Sequence, residues 1–334
     1  MATIRDVAAR AGVSVATASR ALNGSGPASP TTVELVRRAA DDLGYRVNKA
    51  ARSLRTQRTD TIGLLLSDVR NPFFSDLAYV IEQAAAADHV SVITMNADER
   101  TDRQQAALRS LATQRVDGLI VVPQGGATLE VPAGMPLVLL DRRVEGSPAP
   151  VIQSDNELGS RQMVDHLVEL GHRDIALVAG PQSSSSGRER LAACLTALAA
   201  HGCTPRHEWI VEGDFQERSG HVAAAALLDT TPRPTAVFAG DNLMAVGVLS
   251  EARERGLRIG EDIAVVSFDD TRWFPLLDPP MTAVAQDVEN LGLGAYRSLQ
   301  DLLAGRPSGD VVVPTRLVVR RSCTTSSIPA RRSA

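Results

Sequence analysis

From Thr61 to about residue 266, short apolar runs alternate with longer amphipathic stretches. The runs fall at 62–66, 90–94, 118–122 and 137–140, then at 175–178, 209–211, 236–238 and 263–266. Helical spacing fills about 74–88, 100–114, 156–171, 187–202, 217–228 and 242–256. A strand buried on both faces reads as an unbroken apolar run, and its parallel neighbour is reached only through a crossover, usually a helix. The pattern therefore predicts an α/β body: two doubly wound parallel sheets of similar size, joined by crossovers. Ligands in such sheets lie beyond the carboxyl ends of the strands, so two facing sheets would hold a site between them. The serine run at 183–186 reads as a flexible loop, and Asp270 as a turn cap.

The first sixty residues have a different texture. Thr3-Ile4-Arg5-Asp6-Val7-Ala8-Ala9-Arg10-Ala11-Gly12-Val13-Ser14 leads into Val15-Ala16-Thr17-Ala18-Ser19-Arg20-Ala21-Leu22-Asn23. This predicts a helix at about 4–11, a turn in which Gly12 takes a positive φ, and a second helix at about 15–22 with Ser14 as N-cap. A third helix has strong punctuation, with Ser29 as cap, Pro30 at its first position, and Val33, Val36, Ala40 and Leu43 at helical spacing before Gly44. The arrangement is a small all-α helix-turn-helix. Charge agrees with it. Residues 1–60 carry +5, whereas the whole chain is −4, so the body carries −9. A basic head on an acidic body restricts phosphate contact to the head.

The remaining composition narrows the class. A chain of 334 residues, 44% apolar and 22% charged, is expected to form two or three globular domains. No signal-peptide core and no bilayer-length apolar run is present. Cys194, Cys203 and Cys323 lack CxxC spacing, so neither a disulfide framework nor structural zinc is expected, and a reducing cytoplasm fits. There is no GxxxxGK[ST], HExxH or GxSxG segment, and the six histidines are scattered. Catalysis, a bound metal and a cofactor are therefore not expected, and His172 in Gly171-His172-Arg173 reads as a turn cap.

Nine blocks along the chain together resemble the LacI–GalR family of transcription regulators. They are Thr3-Ile4-Arg5-Asp6-Val7-Ala8 with Gly12-Val13-Ser14, Ser19-Arg20-Ala21-Leu22-Asn23, Leu43-Gly44-Tyr45 and Ala51-Arg52-Ser53-Leu54. Asn71-Pro72-Phe73-Phe74, Arg115-Val116-Asp117-Gly118, Gly171-His172-Arg173, Pro232-Arg233-Pro234-Thr235-Ala236 and Phe268-Asp269-Asp270 with Asp278-Pro279-Pro280 follow in order. The resemblance implies a periplasmic-binding-protein-like body of type I behind a helix-turn-helix head at 1–47. A hinge helix and linker would occupy 48–60, and the effector-binding and dimerisation domain 61–330. Its first lobe would span about 61–154 plus 286–312, and its second about 155–285 plus 313–328.

In the head, Arg20 offers a guanidinium fork that suits guanine O6 and N7. Val15 and Ala16 resemble the family's specificity pair and would read thymine methyls or exclude other bases. Ser14, Thr17 and Ser19 would hold phosphates, and the resemblance adds Thr3, Asn23, Tyr45, Asn48, Ala51 and Arg52 to the DNA contacts. Leu54 resembles the wedge that enters the minor groove and kinks the duplex. Ala50 and Ala51 are small enough for two hinge segments, one per protomer, to approach. Val47 stands where the family usually has Pro. Residues 322–334 show no heptad pattern, so a homodimer on a near-palindromic operator is expected.

In the body, aromatic residues are only 3% of the chain, yet Phe73, Phe74, Phe215, Trp273 and Phe274 all follow apolar runs, where a ligand would lie. Asn71, Asp141, Arg190, Asp241 and Asp269 resemble the family's ligand contacts. Carboxylates, an arginine fork and aromatic faces make a workable carbohydrate site, although each residue taken alone fits a helix cap or loop ion pair equally well. Gly240 stands where sugar-responsive relatives often have Asn. The expected function is a cytoplasmic repressor whose DNA affinity is set by a small molecule, with a sugar-binding protein as the alternative that the basic head opposes.

Overall fold

The computed structural model describes residues 2–23, 28–45, 58–125 and 128–324. They form two compact units, Met1–Thr59 and Asp60–Ala334. In the first, α1 (Ile4–Arg10), α2 (Val15–Asn23) and α3 (Pro30–Asp42) enclose a small core of Val7, Ala8, Ala18, Ala21, Val36, Ala39 and Ala40. Thr3 opens α1 with a capping box, its hydroxyl accepting from the Asp6 amide while Asp6 accepts from the Thr3 amide. Ser14 caps α2 through the Thr17 amide at 3.0 Å, and Ser29 caps α3 through Thr32. Gly12 and Gly44 adopt φ of +66° and +59°, the left-handed conformation that lets each chain reversal proceed without a Cβ clash.

The second unit has two six-stranded sheets. One runs in the order β11-β5-β4-β3-β1-β2, built from β1 (Thr61–Leu66), β2 (Ser91–Asn96), β3 (Leu119–Val121), β4 (Leu137–Leu140), β5 (Val151–Ser154) and β11 (Val311–Val313). The other runs β12-β10-β9-β8-β6-β7, from β6 (Ile175–Ala179), β7 (Ile210–Glu212), β8 (Ala236–Ala239), β9 (Ala264–Phe268), β10 (Thr282–Ala285) and β12 (Arg316–Val318). Side chains alternate between faces as the pleat requires. Ile62, Leu64 and Leu66 pack beneath α4 (Pro72–Ala87) and α10 (Val288–Leu303), whereas Leu65 packs toward α5 (Thr101–Thr113). In the second sheet, Val178, Val237 and Val265 meet α8 (Glu217–Leu228) and α9 (Asn242–Glu254). Leu177, Phe238 and Val266 meet α6 (Asn156–Glu169) and α7 (Ser185–Ala200).

The chain passes between the lobes at Asp155, at Gln286–Asp287 and at Pro314–Thr315. The first two passages lead into helices that run away from the cleft, so the next strand returns parallel. The third enters directly as β12, with no helix to reverse it, and β12 therefore pairs antiparallel with β10. This is the one departure from the all-parallel expectation. Val313 also remains in the first lobe's sheet, paired with Ser154.

Three local expectations are corrected. The serine run is not a flexible loop: Ser184 precedes α7, and Ser184, Ser185 and Ser186 are buried. Their hydroxyls are satisfied within the protein, Ser185 Oγ accepting from the distant Arg143 amide at 2.8 Å and Ser184 pairing with Ser186 at 3.1 Å. His172 is not an exposed turn cap; fully buried, its ring bridges Thr235 Oγ1 at 2.9 Å and the Cys323 carbonyl at 3.0 Å, pinning the last described segment to the second lobe. Asp270 holds Arg320 through two 2.8 Å bonds rather than capping a turn.

Helices α8 and α9 cross at glycine. A Cβ on Gly247 would lie 2.1 Å from the Glu217 carbonyl oxygen, and one on Gly220 would lie 2.1 Å from that of Met244. Backbone cannot yield as a side-chain tip does, so Gly247→Ala should destabilise the body by about 1–3 kcal/mol, read as a lower urea midpoint with an unchanged slope.

Candidate functional site

Two sets of side chains carry the candidate functions. In the head, the first turn of α2 leaves Ser14, Val15 and Ala16 exposed, and Arg20 projects from the same helix one turn later. Val15 is 43% exposed, an apolar side chain that the head's own core does not use. Ala18 and Ala21, on the opposite face, are buried. Thr17 and Ser19 are half-buried beside them, with Thr17 Oγ1 2.8 Å from Ser14 Oγ. Thr3 has its hydroxyl engaged by Asp6 at 2.8 Å, and Tyr45 packs against the head core. The side chain of Asn23, and Asn48, Ala51, Arg52 and Leu54 entirely, lie outside the described residues, as do Val47 and Ala50.

The second set lies where the carboxyl ends of the two sheets meet. Asn71, Phe73, Phe74, Asp141, Arg142, Ser186, Arg190, Phe215, Asp241 and Asp269 line one small cavity. Each arrives by a definite local device. Asn71 caps α4 by accepting from the Phe73 amide at 3.0 Å, which places Phe73 and Phe74 in that helix's first turn. Asp241 caps α9 by accepting from the Met244 amide at 2.8 Å. Asp141, Phe215 and Asp269 follow strands β4, β7 and β9 with φ of +66°, +61° and +67°. Such conformations cost about 1–3 kcal/mol each outside glycine and persist only where the surroundings enforce them. Here they turn three side chains sharply off strand ends into the cleft.

The cleft is densely charged. Arg142, 4% exposed, forms two 2.7 Å bonds to Glu99 and lies 4.9 Å from the Phe215 ring centroid. Its Nε is 3.6 Å from Asp141 Oδ2. Arg190 stacks 3.6 Å over Phe268, donates to Asn156 Oδ1 at 2.9 Å and to the Gly240 carbonyl at 2.8 Å, and stands 3.9 Å from Asp269. Contacts across the lobes keep the cleft shut: Asn242 donates to Asn71 Oδ1 at 3.1 Å, and Gln216 exchanges 3.1 Å bonds with Asp68 and Arg70. About 10 Å³ of room remains, roughly what one water occupies.

Burial sets the protonation. It pushes the Asp141 carboxyl up to about 6, against the pull of Arg142 and Arg190. It pushes Asp241 up to about 7, opposed by the Met244 amide and helped by the nearby Asp269 charge. Asp269 is raised for the same reason, with Arg190 and Gln286 opposing.

Arg142, Glu99, Ser186 and Gln286 were absent from the sequence-based site. Arg142 carried a usable signal, since it adjoins Asp141 at a strand end; Glu99 carried none, because its role depends on a fold-level approach to Arg142. Trp273 and Phe274 are not brought to the cleft: Phe274 is fully buried in the second lobe's core, and half-buried Trp273 packs edge-on against it at 4.6 Å.

The comparisons with known proteins bear on both sets. Residues 3–48 match the model of bacterial regulatory proteins, lacI family, and residues 164–323 match that of a periplasmic binding protein-like domain. The chain is 36% identical over 332 residues to the HTH-type transcriptional repressor PurR of Edwardsiella ictaluri, covering 96% of this chain and 97% of that one. Among solved structures, the lac repressor dimer bound to operator and the anti-inducer ONPF superposes with a TM-score of 0.83 at 32% identity, covering 97% of this chain and 99% of that chain. The complex of the transcriptional regulator CelR with cellobiose gives 0.73 at 34% identity, covering 96% and 100%. Among the described residues, no helix is long and apolar enough to cross a membrane.

A carboxylate with a raised folded-state pKa favours folding at low pH, and that contribution is lost as pH rises from the unfolded value of 3.8 through the folded one. Asp241 faces Asp269, Glu99 and Arg190. Asp241→Asn retains the amide-accepting oxygen of the cap and removes the titration. The variant should therefore match the parent's thermal midpoint near pH 4 and exceed it increasingly up to about pH 7, with a constant difference above.

Proposed function

Because the chain belongs to the LacI family of bacterial regulatory proteins, we propose that it is a sequence-specific DNA-binding repressor, controlled by a small molecule held between the lobes of its body. One observation carries this reading. A single chain joins a helix-turn-helix whose second helix exposes Val15, Ala16 and Arg20 to a body whose cleft gathers Asp141, Arg190, Asp241, Asp269 and three phenylalanines. A DNA reader alone needs no buried polar cleft, and a binding protein alone needs no basic head.

Arg20 would form the bidentate contact to guanine, with Val15 and Ala16 as apolar readers of the adjacent step. Ser14, Thr17 and Ser19 would contact phosphate, aided by the amino end of α2. Thr3 fits its capping role better than a base contact. A homodimer would present two heads to a near-palindromic site, as the lac repressor does as a dimer on its operator. The cytoplasm is where such a protein would act, and regulation rather than catalysis is its proposed activity.

A carbohydrate is the effector class we favour. Carboxylates at the cleft would accept from hydroxyl groups, and the Phe74 and Phe215 rings would cover an apolar sugar face. The relative solved with cellobiose supports this class. Ligand entry requires the lobes to part or Arg142 to withdraw, because the closed cleft has no room for a sugar. Lobe movement is then the physical means by which occupancy changes the body's state.

The test is operator selection from a random duplex pool followed by mobility shift at fixed salt. Arg20→Ala should lose about 1–3 kcal/mol of discrimination between the selected operator and random DNA. An equal loss on both would reduce Arg20 to a phosphate contact.

A further inference from the structure

We propose that Glu99 makes the cleft select uncharged polyols and reject sugar phosphates and sugar acids, by occupying the guanidinium fork of Arg142. The proposal rests on the carbohydrate reading above and adds the charge class of the ligand and the residue that sets it.

An anionic ligand needs a free cationic fork or a set of uncommitted donors. The cleft has two arginines, and each directs two of its three nitrogens at protein acceptors. Arg142 directs both terminal nitrogens at Glu99, at 2.7 Å each, and one of them also reaches Gln124 Oε1 at 3.2 Å. Arg190 directs Nε at Asn156 and one terminal nitrogen at the Gly240 carbonyl. Against these two cations stand Asp141, Asp241, Asp269 and Glu99, so a phosphate or carboxylate would enter a site already holding an excess of acidic groups.

The buried atoms without a protein partner point the same way. Asp141 Oδ1 and Asp241 Oδ2 line the cavity, and Asn242 Oδ1 and Gln286 Oε1 belong to residues that bond Asn71 and Asp269 on its wall. These four are oxygens, against one orphaned nitrogen at the cavity, Arg142 Nε, which stands 3.6 Å from Asp141 Oδ2. A ligand that satisfies them must donate hydrogen bonds, which hydroxyl groups do and an ionised phosphate or carboxylate does not. The cleft thus has more unmet acceptors than unmet donors, and the terminal fork of Arg142 is spent on Glu99.

Glu99 is placed to hold this state. It precedes α5 in the left-handed region at φ +53°, its amide donating to the Ser67 carbonyl at 3.0 Å, and its side chain is 12% exposed. The Glu99–Arg142 pair also borders an adjoining cavity of about 320 Å³ lined by Gln124, Ser183, Ser184 and Gln216. Removing the Glu99 charge would therefore free a fork that faces both spaces, leave the Asp141, Asp241 and Asp269 side chains in place, and ease the charge repulsion that Glu99 exerts on Asp141 and Asp241.

The experiment uses the full-length protein and isothermal titration with D-ribose, D-glucose and D-galactose, beside ribose 5-phosphate, glucose 6-phosphate, gluconate and hypoxanthine. The wild type should bind at least one neutral sugar and bind its phosphate or acid at least tenfold more weakly. In Glu99→Gln that gap should narrow by at least tenfold, and in Glu99→Gln/Arg142→Met, where the freed fork is gone, it should reopen. Equal wild-type affinity for a neutral sugar and its phosphate overturns the proposed selection while leaving the carbohydrate reading intact. An unchanged gap in Glu99→Gln overturns the role of Glu99; if that variant fails to fold, the wild-type comparison and a double variant that binds the phosphate still decide against the proposal. No response to any sugar, with or without one to hypoxanthine, overturns both.

Discussion

Burying a charge is tolerated only where another charge or a hydrogen bond meets it, and the body of this protein concentrates that constraint in one place. Arg142 and Arg190 are inserted between the carboxyl ends of two sheets, each against an aromatic ring and each held by acceptors. Neither lobe supplies the whole arrangement. Arg142 and Glu99 come from the first lobe and Phe215 from the second, while Arg190 of the second lobe lies on the cavity that Asp141 of the first also lines. The closed cleft is therefore an electrostatic contact between lobes whose cores are otherwise separate, and burial there holds the carboxyls of Asp141 and Asp241 well above their usual range.

That imbalance gives the body its capacity to respond. A donor-rich ligand offers the orphaned oxygens partners, and the gain in free energy depends on how the lobes are disposed. Any ligand that prefers one disposition shifts the population toward it by no more than its differential affinity. Backbone placed under strain at Asp141, Phe215 and Asp269 keeps the contacting groups fixed on strand ends. The lobes are joined by short passages, two of which are followed at once by helices capped by Asp155 and Asp287.

How much of this was legible in the sequence follows from how local each cause is. Strand-helix alternation, the caps at Ser14, Ser29 and Asp241, and the glycines at 12 and 44 are written within a few residues, and the elements form where the pattern places them. The family resemblance brought Asp141, Arg190, Asp241 and Asp269 into view together, and they do share one cavity. What escaped depended on distant partners. Glu99 matters only because the fold brings Arg142 to it, and the serine run became buried because the Arg143 amide reaches Ser185. Trp273 was misjudged because position after a strand says nothing about which way a ring turns; Phe274 beside it drew it toward the core. The antiparallel β12 follows from the absence of a helix in the last passage, legible only once the facing of the two sheets is known.

A repressor governed by a ligand in its cleft must link the binding free energies of DNA and ligand, and linkage is reciprocal. The most direct measurement is the affinity of the full-length protein for a neutral sugar that it binds, taken with and without saturating operator duplex. A change of roughly 5–150-fold between the two is expected, matched by an equal change in operator affinity when the sugar is present. Identical sugar affinities with and without operator would contradict it.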